Sequence, residues 1–251
     1  MNVLVCVKRV PMTGGRLVLT PDGQALDTRM AGFTISPHEE CAVEEAVRLV
    51  EARGGSSTVL TLGPPEAAEQ LRDAMALGIE RAILLESDAR EWDPGATAAA
   101  IGEAVRADDT PFDLLLLGNE AADTGGYQVG VRVAYELGLP CVTGVKTLAI
   151  EGGSLVAVRE GSGGWERLEA PLPAVVTVKE GINLPRYPSL PGRIRAKKRE
   201  IKRIPARWQA AGLEKVRLAL PTETRHGGEL LGRGVDAVPR VVDLLQRLGL
   251  L

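Results

Sequence analysis

The strongest constraint in this chain is a series of short, uniformly apolar runs: VLVCV at 3–7, TVLTL at 58–62, RAILLE at 81–86 and DLLLLG at 113–118. Each is too short for an amphipathic helix and too uniform to leave one face in water, the pattern of strands covered on both sides. Helical segments fall between them. The clearest is SPHEECAVEEAVRLVEARGG, where Ser36 stands as N-cap, Pro37 takes the first helical position and Glu39 the third, completing a capping box. Ala42, Val43, Ala46, Val47 and Val50 share one face of that helix, and Gly54 ends it. Further helices are predicted at 65–77, 95–107 and 126–138. Strands alternating with helices imply an α/β fold with a doubly wound, mostly parallel sheet, and ligands of such sheets sit outside the carboxyl ends of the strands.

From about residue 144 the pattern changes. VKTLAIEGGSLVAVREGSGGWERLEA reads as short antiparallel strands joined at Glu151-Gly152-Gly153 and at Gly161 to Gly164, and LPAVVTV at 172–178 as another buried strand. Past 204 the chain is punctuated by Pro205, Pro221, Gly227-Gly228 and Pro239 and finishes in an amphipathic helix, VPRVVDLLQRLG. The expected organisation is a nucleotide-binding α/β body over 1–204, with a small antiparallel excursion, and an extended C-terminal arm over 205–251.

Composition agrees with a core of aliphatic side chains, since only three Trp, three Tyr and two Phe occur. Cys6, Cys41 and Cys141 are odd in number and form no CxxC pair, so neither a disulfide framework nor a metal site is indicated, and a reducing compartment is expected. Met1 leads directly into NVLVCVK, and no apolar run approaches membrane-spanning length, so the expectation is a cytoplasmic protein that is not membrane-embedded. The net charge is −3, yet residues 186–207 carry nine Lys or Arg against Glu200 alone, so that stretch is +8 and the remainder −11. Such asymmetry marks an interaction segment on an acidic body.

The richest loop follows the strongest strand, in LLLLGNEAADTGGYQVGVRVAYELG at 114–138. Gly118 ends the strand, Asp123 and Thr124 offer caps, and Gly125 and Gly126 let backbone approach a ligand. The helix that follows presents free N–H groups to an anion. The same residues equally suit an ordinary strand-to-helix connection. No Gly-Lys-Ser/Thr follows and the spacing is not GxGxxG, so a nucleotide here would be held rather than hydrolysed. The capped helix start, Ser36 to Glu39, joins this site only if it lies beside 118–129 in space. Cys6, closing the first strand, suits a core position as well as a ligand contact. No catalytic residue is nominated: the only histidines, His38 and His226, lie in no nucleophile context.

The segment NLPRYPSLPGRIRAKKREI, 183–201, has X-Pro steps at Leu184, Tyr187 and Leu190 that bias it to extended conformations. Arg186 to Pro191 is expected to be a stiff loop displaying Leu190 to a partner pocket, beside a basic run that speeds encounter with acidic proteins. A nucleic-acid contact is the rival for that run, and the scarcity of aromatics and the acidic remainder oppose it.

VREGSGGWERLEAPLPAVVTV followed by NLPRYPSLPGRIRAKKREI resembles the signature region of the electron transfer flavoprotein β subunits. VLVCVKRV, AVEEAVRL and GNEAADTGGYQVG extend the resemblance over essentially the whole chain. It implies an electron carrier subunit, not an enzyme. The partner is a larger α subunit that holds most of the FAD, and electrons pass from dehydrogenases such as acyl-CoA dehydrogenases to a quinone oxidoreductase. It further implies an AMP contacting Cys6, Ser36, Pro37, His38, Glu39, Leu62, Gly118, Asn119, Glu120, Ala121, Ala122, Asp123, Thr124, Gly125, Gly126, Tyr127, Gln128 and Val129. Leu190 would anchor a dehydrogenase and the C-terminal arm would wrap the α subunit. Relatives that hold a second FAD there for electron bifurcation usually read DGDTAQVG where this chain has ADTGGYQVG, which favours AMP. A stand-alone adenine-nucleotide sensor is the alternative outside that family.

Overall fold

The computed structural model describes residues 1–12, 14, 17–88, 91–208, 212–221 and 228–251; His226 lies outside the described residues. The chain divides into two compact units, 1–217 and 218–251. The first is built on one nine-stranded sheet. Its strands are β1 (Asn2–Cys6), β4 (Ser56–Gly63), β5 (Arg81–Glu86), β6 (Leu114–Gly118), β7 (Cys141–Glu151), β8 (Ser154–Gly161), β9 (Gly164–Pro171), β10 (Ala174–Val178) and β11 (Lys202–Pro205), and the spatial order is β11-β5-β4-β1-β6-β10-β7-β8-β9. A two-stranded antiparallel pair, β2 (Val10–Pro11) with β3 (Phe33–Thr34), stands apart from it.

The fold is the expected α/β one. From β11 to β7 neighbouring strands run parallel; β7, β8 and β9 then pair antiparallel and extend the same sheet. Their turns fall at Gly152-Gly153 and Ser162-Gly163, and both glycines of the first have positive φ. The uniform apolar runs are explained by helices on both faces. Val3, Val5, Leu114 and Leu116 point to a layer formed by α1 (Pro37–Arg53), α2 (Ala68–Leu77) and α5 (Leu190–Lys198). Leu4, Cys6, Leu115 and Leu117 point to one formed by α3 (Pro94–Arg106) and α4 (Val129–Leu137). Each fully buried Leu contributes about 1.5–3 kcal/mol relative to exposure.

Two elements differ from the sequence reading. The expected loop through 186–191 ends at Ser189: Leu190 and Pro191 already belong to α5, whose N-cap Ser189 accepts from the Gly192 N–H at 3.1 Å. Proline is compatible with a first helical turn, where its missing N–H would have had no partner, so Pro191 helps to start this helix. The basic stretch then continues as β11, a parallel edge strand on β5, with Arg203 paired to Glu86 at 2.7 Å.

The chain winds outward from β1 to β4 and β5 on one side, then crosses through α3 to β6 on the other. The reversal between β1 and β6 opens a crevice outside their carboxyl ends. The residues after β11 lie against this unit as well: Trp208 stacks on Trp92 with ring centroids 5.9 Å apart, and Asp93, the N-cap of α3, accepts from Gly212 and Leu213 N–H groups at 2.9 and 3.1 Å. In the second unit α6 (Val238–Arg247) is a helix with no buried residue, exposing Val238, Val241 and Val242. Among the described residues no helix is long and apolar enough to cross a membrane.

Candidate functional site

At the crevice between β1 and β6 the start of α1 and the loop after β6 are fastened together. Ser36 is fully buried at the helix cap, and its hydroxyl accepts from the Ala122 N–H at 2.9 Å. Glu39 completes the capping box, Oε2 accepting from the Ser36 N–H at 2.9 Å, while Oε1 accepts from the Lys8 N–H at 3.0 Å just beyond β1. One carboxyl thus joins β1 to α1. Burial pushes it up to about 8, against the opposing pull of those two amides.

Gly118 is where this junction needs a missing side chain: a Cβ there would stand 2.7 Å from Glu39 Cγ and 3.2 Å from His38 Cβ. By contrast Gly126 has open space around it, and Gly125 is required for its φ of +54° rather than for closeness to protein atoms. Lys8 reaches across to Asp123 at 2.7 Å, and His38 Nε2 stands 3.7 Å from Glu120 Oε1. The adjacency of Ser36–Glu39 and 118–129, on which the sequence reading depended, is therefore present.

The loop itself is open. Ala122 to Tyr127 are exposed. Gly125 and Thr124 N–H groups turn back onto the Ala121 carbonyl at 2.8 and 3.3 Å, and the first amide tied into α4 is that of Arg132, on Gln128 O at 3.0 Å. Between them the amides of residues 126–131 find no acceptor among the described residues. Tyr127 holds a positive φ of 54°, a conformation uncommon outside glycine. His38 Nδ1 is shielded from solvent yet unpartnered. The remaining nominated residues lie around this point. Cys6 is buried as the last residue of β1, Leu62 is half-buried near the end of neighbouring β4, and Pro37 is the first residue of α1. Asn119 continues the sheet, donating its N–H to Val178 O at 2.9 Å. Burial pushes the Cys6 thiol up to about 12, which keeps it neutral.

Sequence reasoning passed over Lys8 and Thr177. The signal for Lys8 was its place immediately after VLVCV; nothing local announced Thr177, which reaches Asn119 from 58 residues away.

The second candidate surface is the segment before α5. Leu184 is 90%, Tyr187 95% and Leu190 72% exposed. The backbone between them is nonetheless pinned. Arg186 Nε meets Glu44 Oε2 at 2.8 Å and Arg186 Nη1 meets Glu51 Oε1 at 2.6 Å, while Asn183 Nδ2 donates to Cys41 O and Glu45 Oε2. Gly192 lies so close to α2 that a Cβ would be 2.5 Å from Ala76 O.

Comparison with known proteins decides the family. The model of the electron transfer flavoprotein domain matches residues 25–207. The chain belongs to the electron transfer flavoprotein family. A Bacillus subtilis (strain 168) protein named electron transfer flavoprotein subunit beta is 34% identical over 255 residues, covering 98% of each chain. One of the same name from Mycobacterium leprae is 38% identical over 206 residues, covering 80% of this chain and 77% of its own. Another from Megasphaera elsdenii is 33% identical over 260 residues, covering 97% and 96%. Within this family of electron transfer flavoprotein β subunits, both candidate surfaces fall inside the region that the domain matches, apart from β1 and Lys8.

Proposed function

We propose that this chain is the nucleotide-holding subunit of a heterodimeric electron carrier, pairing with an α subunit that holds most of the FAD and docking dehydrogenases through Leu190. The observation that carries the reading is the row of acceptor-free amides at 126–131, beside a crevice that Gly118 keeps narrow. Amides without partners at a helix start suit phosphate oxygens, and the unpartnered His38 Nδ1 suits a further polar group of the same ligand. The residues present therefore fit an adenine nucleotide. Ser36, Ala122 and Gly125 to Val129 would hold it, with AMP favoured over a second FAD.

The flavin of the partner subunit supplies the electron-carrying chemistry. This chain's own residues hold the nucleotide as a structural element and present an apolar hook to acyl-CoA and related dehydrogenases, before electrons leave for a quinone oxidoreductase. Nothing in such a role needs a nucleophile or a general base on this chain, and the cytoplasm is the compartment proposed for it.

Co-expression with an α subunit of the family tests the reading. The expected product is a yellow heterodimer from which mass spectrometry recovers one AMP per β chain. Recovery of FAD in place of AMP from this subunit would assign the cradle to a second flavin; a colourless chain that neither associates nor carries a nucleotide would overturn the proposal.

A further inference from the structure

Thr177 is a fully buried polar side chain on β10 that touches three elements at once. Its hydroxyl donates to Asn119 Oδ1 at 2.7 Å and accepts from the Gly144 N–H at 3.1 Å. Its methyl, Cγ2, packs where Gly130 of α4 has no side chain; a Cβ at Gly130 would overlap it. Gly144 itself stands at φ +69°, at an irregularity in the pairing of β10 with β7.

These contacts fix a choice that Asn119 would otherwise be free to make. A side-chain amide has an acceptor end and a donor end of the same shape, and only hydrogen bonds distinguish them. Thr177 has one proton. The Gly144 amide fills one of the two lone pairs on its oxygen, and the proton has no acceptor among the described residues other than Asn119, which therefore presents Oδ1. The Asn119 NH2 then faces away from Thr177, and no acceptor among the described residues takes it. The Thr177 methyl is held against Gly130, where a Cβ would overlap it.

We propose that Thr177 is a positioning residue for ligand binding, holding Asn119 so that its NH2 donates to a hydrogen-bond acceptor of the bound nucleotide. The inference rests on the nucleotide reading above and adds a polarity to it: at Asn119 the ligand offers an acceptor, a phosphate or ribose oxygen or a ring nitrogen, and not a donor. Thr177 acts only through Asn119 and does not itself touch the ligand.

Substitution separates the hydroxyl from the methyl. Thr177→Val keeps the packing against Gly130 and removes both the proton that orients Asn119 and the acceptor of the Gly144 N–H, the second of which is read separately as a loss of unfolding free energy. Thr177→Ser keeps the proton and loses the methyl. In heterodimers reconstituted with AMP as the probe, Thr177→Val is expected to weaken AMP binding roughly tenfold, the worth of one hydrogen bond, while Thr177→Ser stays near wild type. Asn119→Ala should weaken binding by a similar factor, and Thr177→Val added to it should change nothing more, since the orienting role has lost its object. Additive losses in that double variant would mean that Thr177 acts by packing alone and would overturn the proposal. So would Thr177→Val binding as tightly as wild type. If Thr177→Val fails to fold, Thr177→Ser measured with and without Asn119→Ala decides instead: retained binding in the first and its loss in both Asn119→Ala backgrounds supports the role. A wild-type complex that binds no AMP removes the nucleotide reading, whereas wild-type binding with an indifferent Thr177→Val removes only this inference.

Discussion

The candidate cradle at the β1–β6 crevice and the proposed docking segment at 183–190 are braced by the same helix in different ways. The first turn of α1 serves the cradle, through Ser36 and Glu39 accepting from backbone amides of the loop after β6, of β1's end and of the helix cap itself. The later turns serve the docking segment, through Glu44, Glu45 and Glu51 gripping Arg186 and Asn183. The first is a dry junction of amides and close-packed backbone, and the second is a set of charges at the edge of solvent. In the proposed function the loop after β6 is fixed by bonds that leave its amides free for a ligand, whereas the segment at 183–190, which would offer only side chains, needs just its backbone held.

The comparison breaks most readily at Gly118. Gly118→Ala forces a Cβ to within 2.7 Å of Glu39 Cγ, at a site with no room to yield. Overpacking of this kind costs about 1–3 kcal/mol, and the upper end is expected because backbone as well as side chain is crowded. Chemical denaturation should report that loss, together with loss of nucleotide and with electron acceptance failing only as far as nucleotide is missing. Arg186→Ala comes next. It leaves the buried Glu44 carboxylate without its cation, a loss of about 2 kcal/mol in unfolding free energy. Nucleotide content should be unchanged while electron acceptance slows. Salt should imitate it in part, since Arg186 is over a third exposed and screening reaches it. If Arg186→Ala also empties the cradle, the two ends of α1 are not independent.

Glu39 sharpens the contrast by pH. Its carboxyl is raised to about 8 in the folded chain from an ordinary value of about 4.5, chiefly by burial. The folded state therefore binds the proton more tightly than the unfolded state. The stability that this group supplies is fully present below about 4.5, declines as pH rises, and is lost above about 8. Glu39→Gln cannot ionise, so its unfolding free energy should be flatter across that window, at a cost of about 1 kcal/mol at acid pH for the hydrogen bond that an amide NH2 cannot accept. An unchanged pH profile would mean that Glu39 stays ionised on its two amides.

Much of the scaffold was readable because local and global signals agreed. The runs VLVCV and DLLLLG are strands covered on both faces, and the capping box at Ser36 and Glu39 is where the spacing put it. The hairpin turn at Gly152-Gly153 follows from two residues that tolerate positive φ. What escaped was set by distance in sequence. β10 enters between β6 and β7 rather than beside β9, and no local pattern records that choice. The Arg186 clamp spans 135–142 residues, so from sequence its charges look like a solvated face. α5 was missed for another reason: the X-Pro steps made Arg186 to Pro191 read as a stiff extended loop, although serine as N-cap with proline in the first turn is also a helix start. The glycine is there for the approach to Ala76.

Leu190→Ala should have the smallest effect on stability and isolates the docking segment from everything beneath it. Leu190 is 72% exposed and opens α5 from a capped position, so truncation removes little packing and leaves the Ser189 cap intact. Unfolding free energy should shift by less than about 0.5 kcal/mol, the usual limit for surface changes. Binding is another matter, because a leucine that becomes fully buried on docking is worth about 1.5–3 kcal/mol. With an acyl-CoA dehydrogenase of the proposed partner class and its substrate as electron donor, the apparent KM for the heterodimer should rise at least tenfold, with flavin and nucleotide contents unchanged. Tyr187→Ala supplies the control, since Tyr187 is more exposed still and flanks the same clamp. An equal rise for both would make the anchor a shared apolar ridge, and no rise for Leu190→Ala would leave the clamp at Arg186 holding a surface that this dehydrogenase does not use.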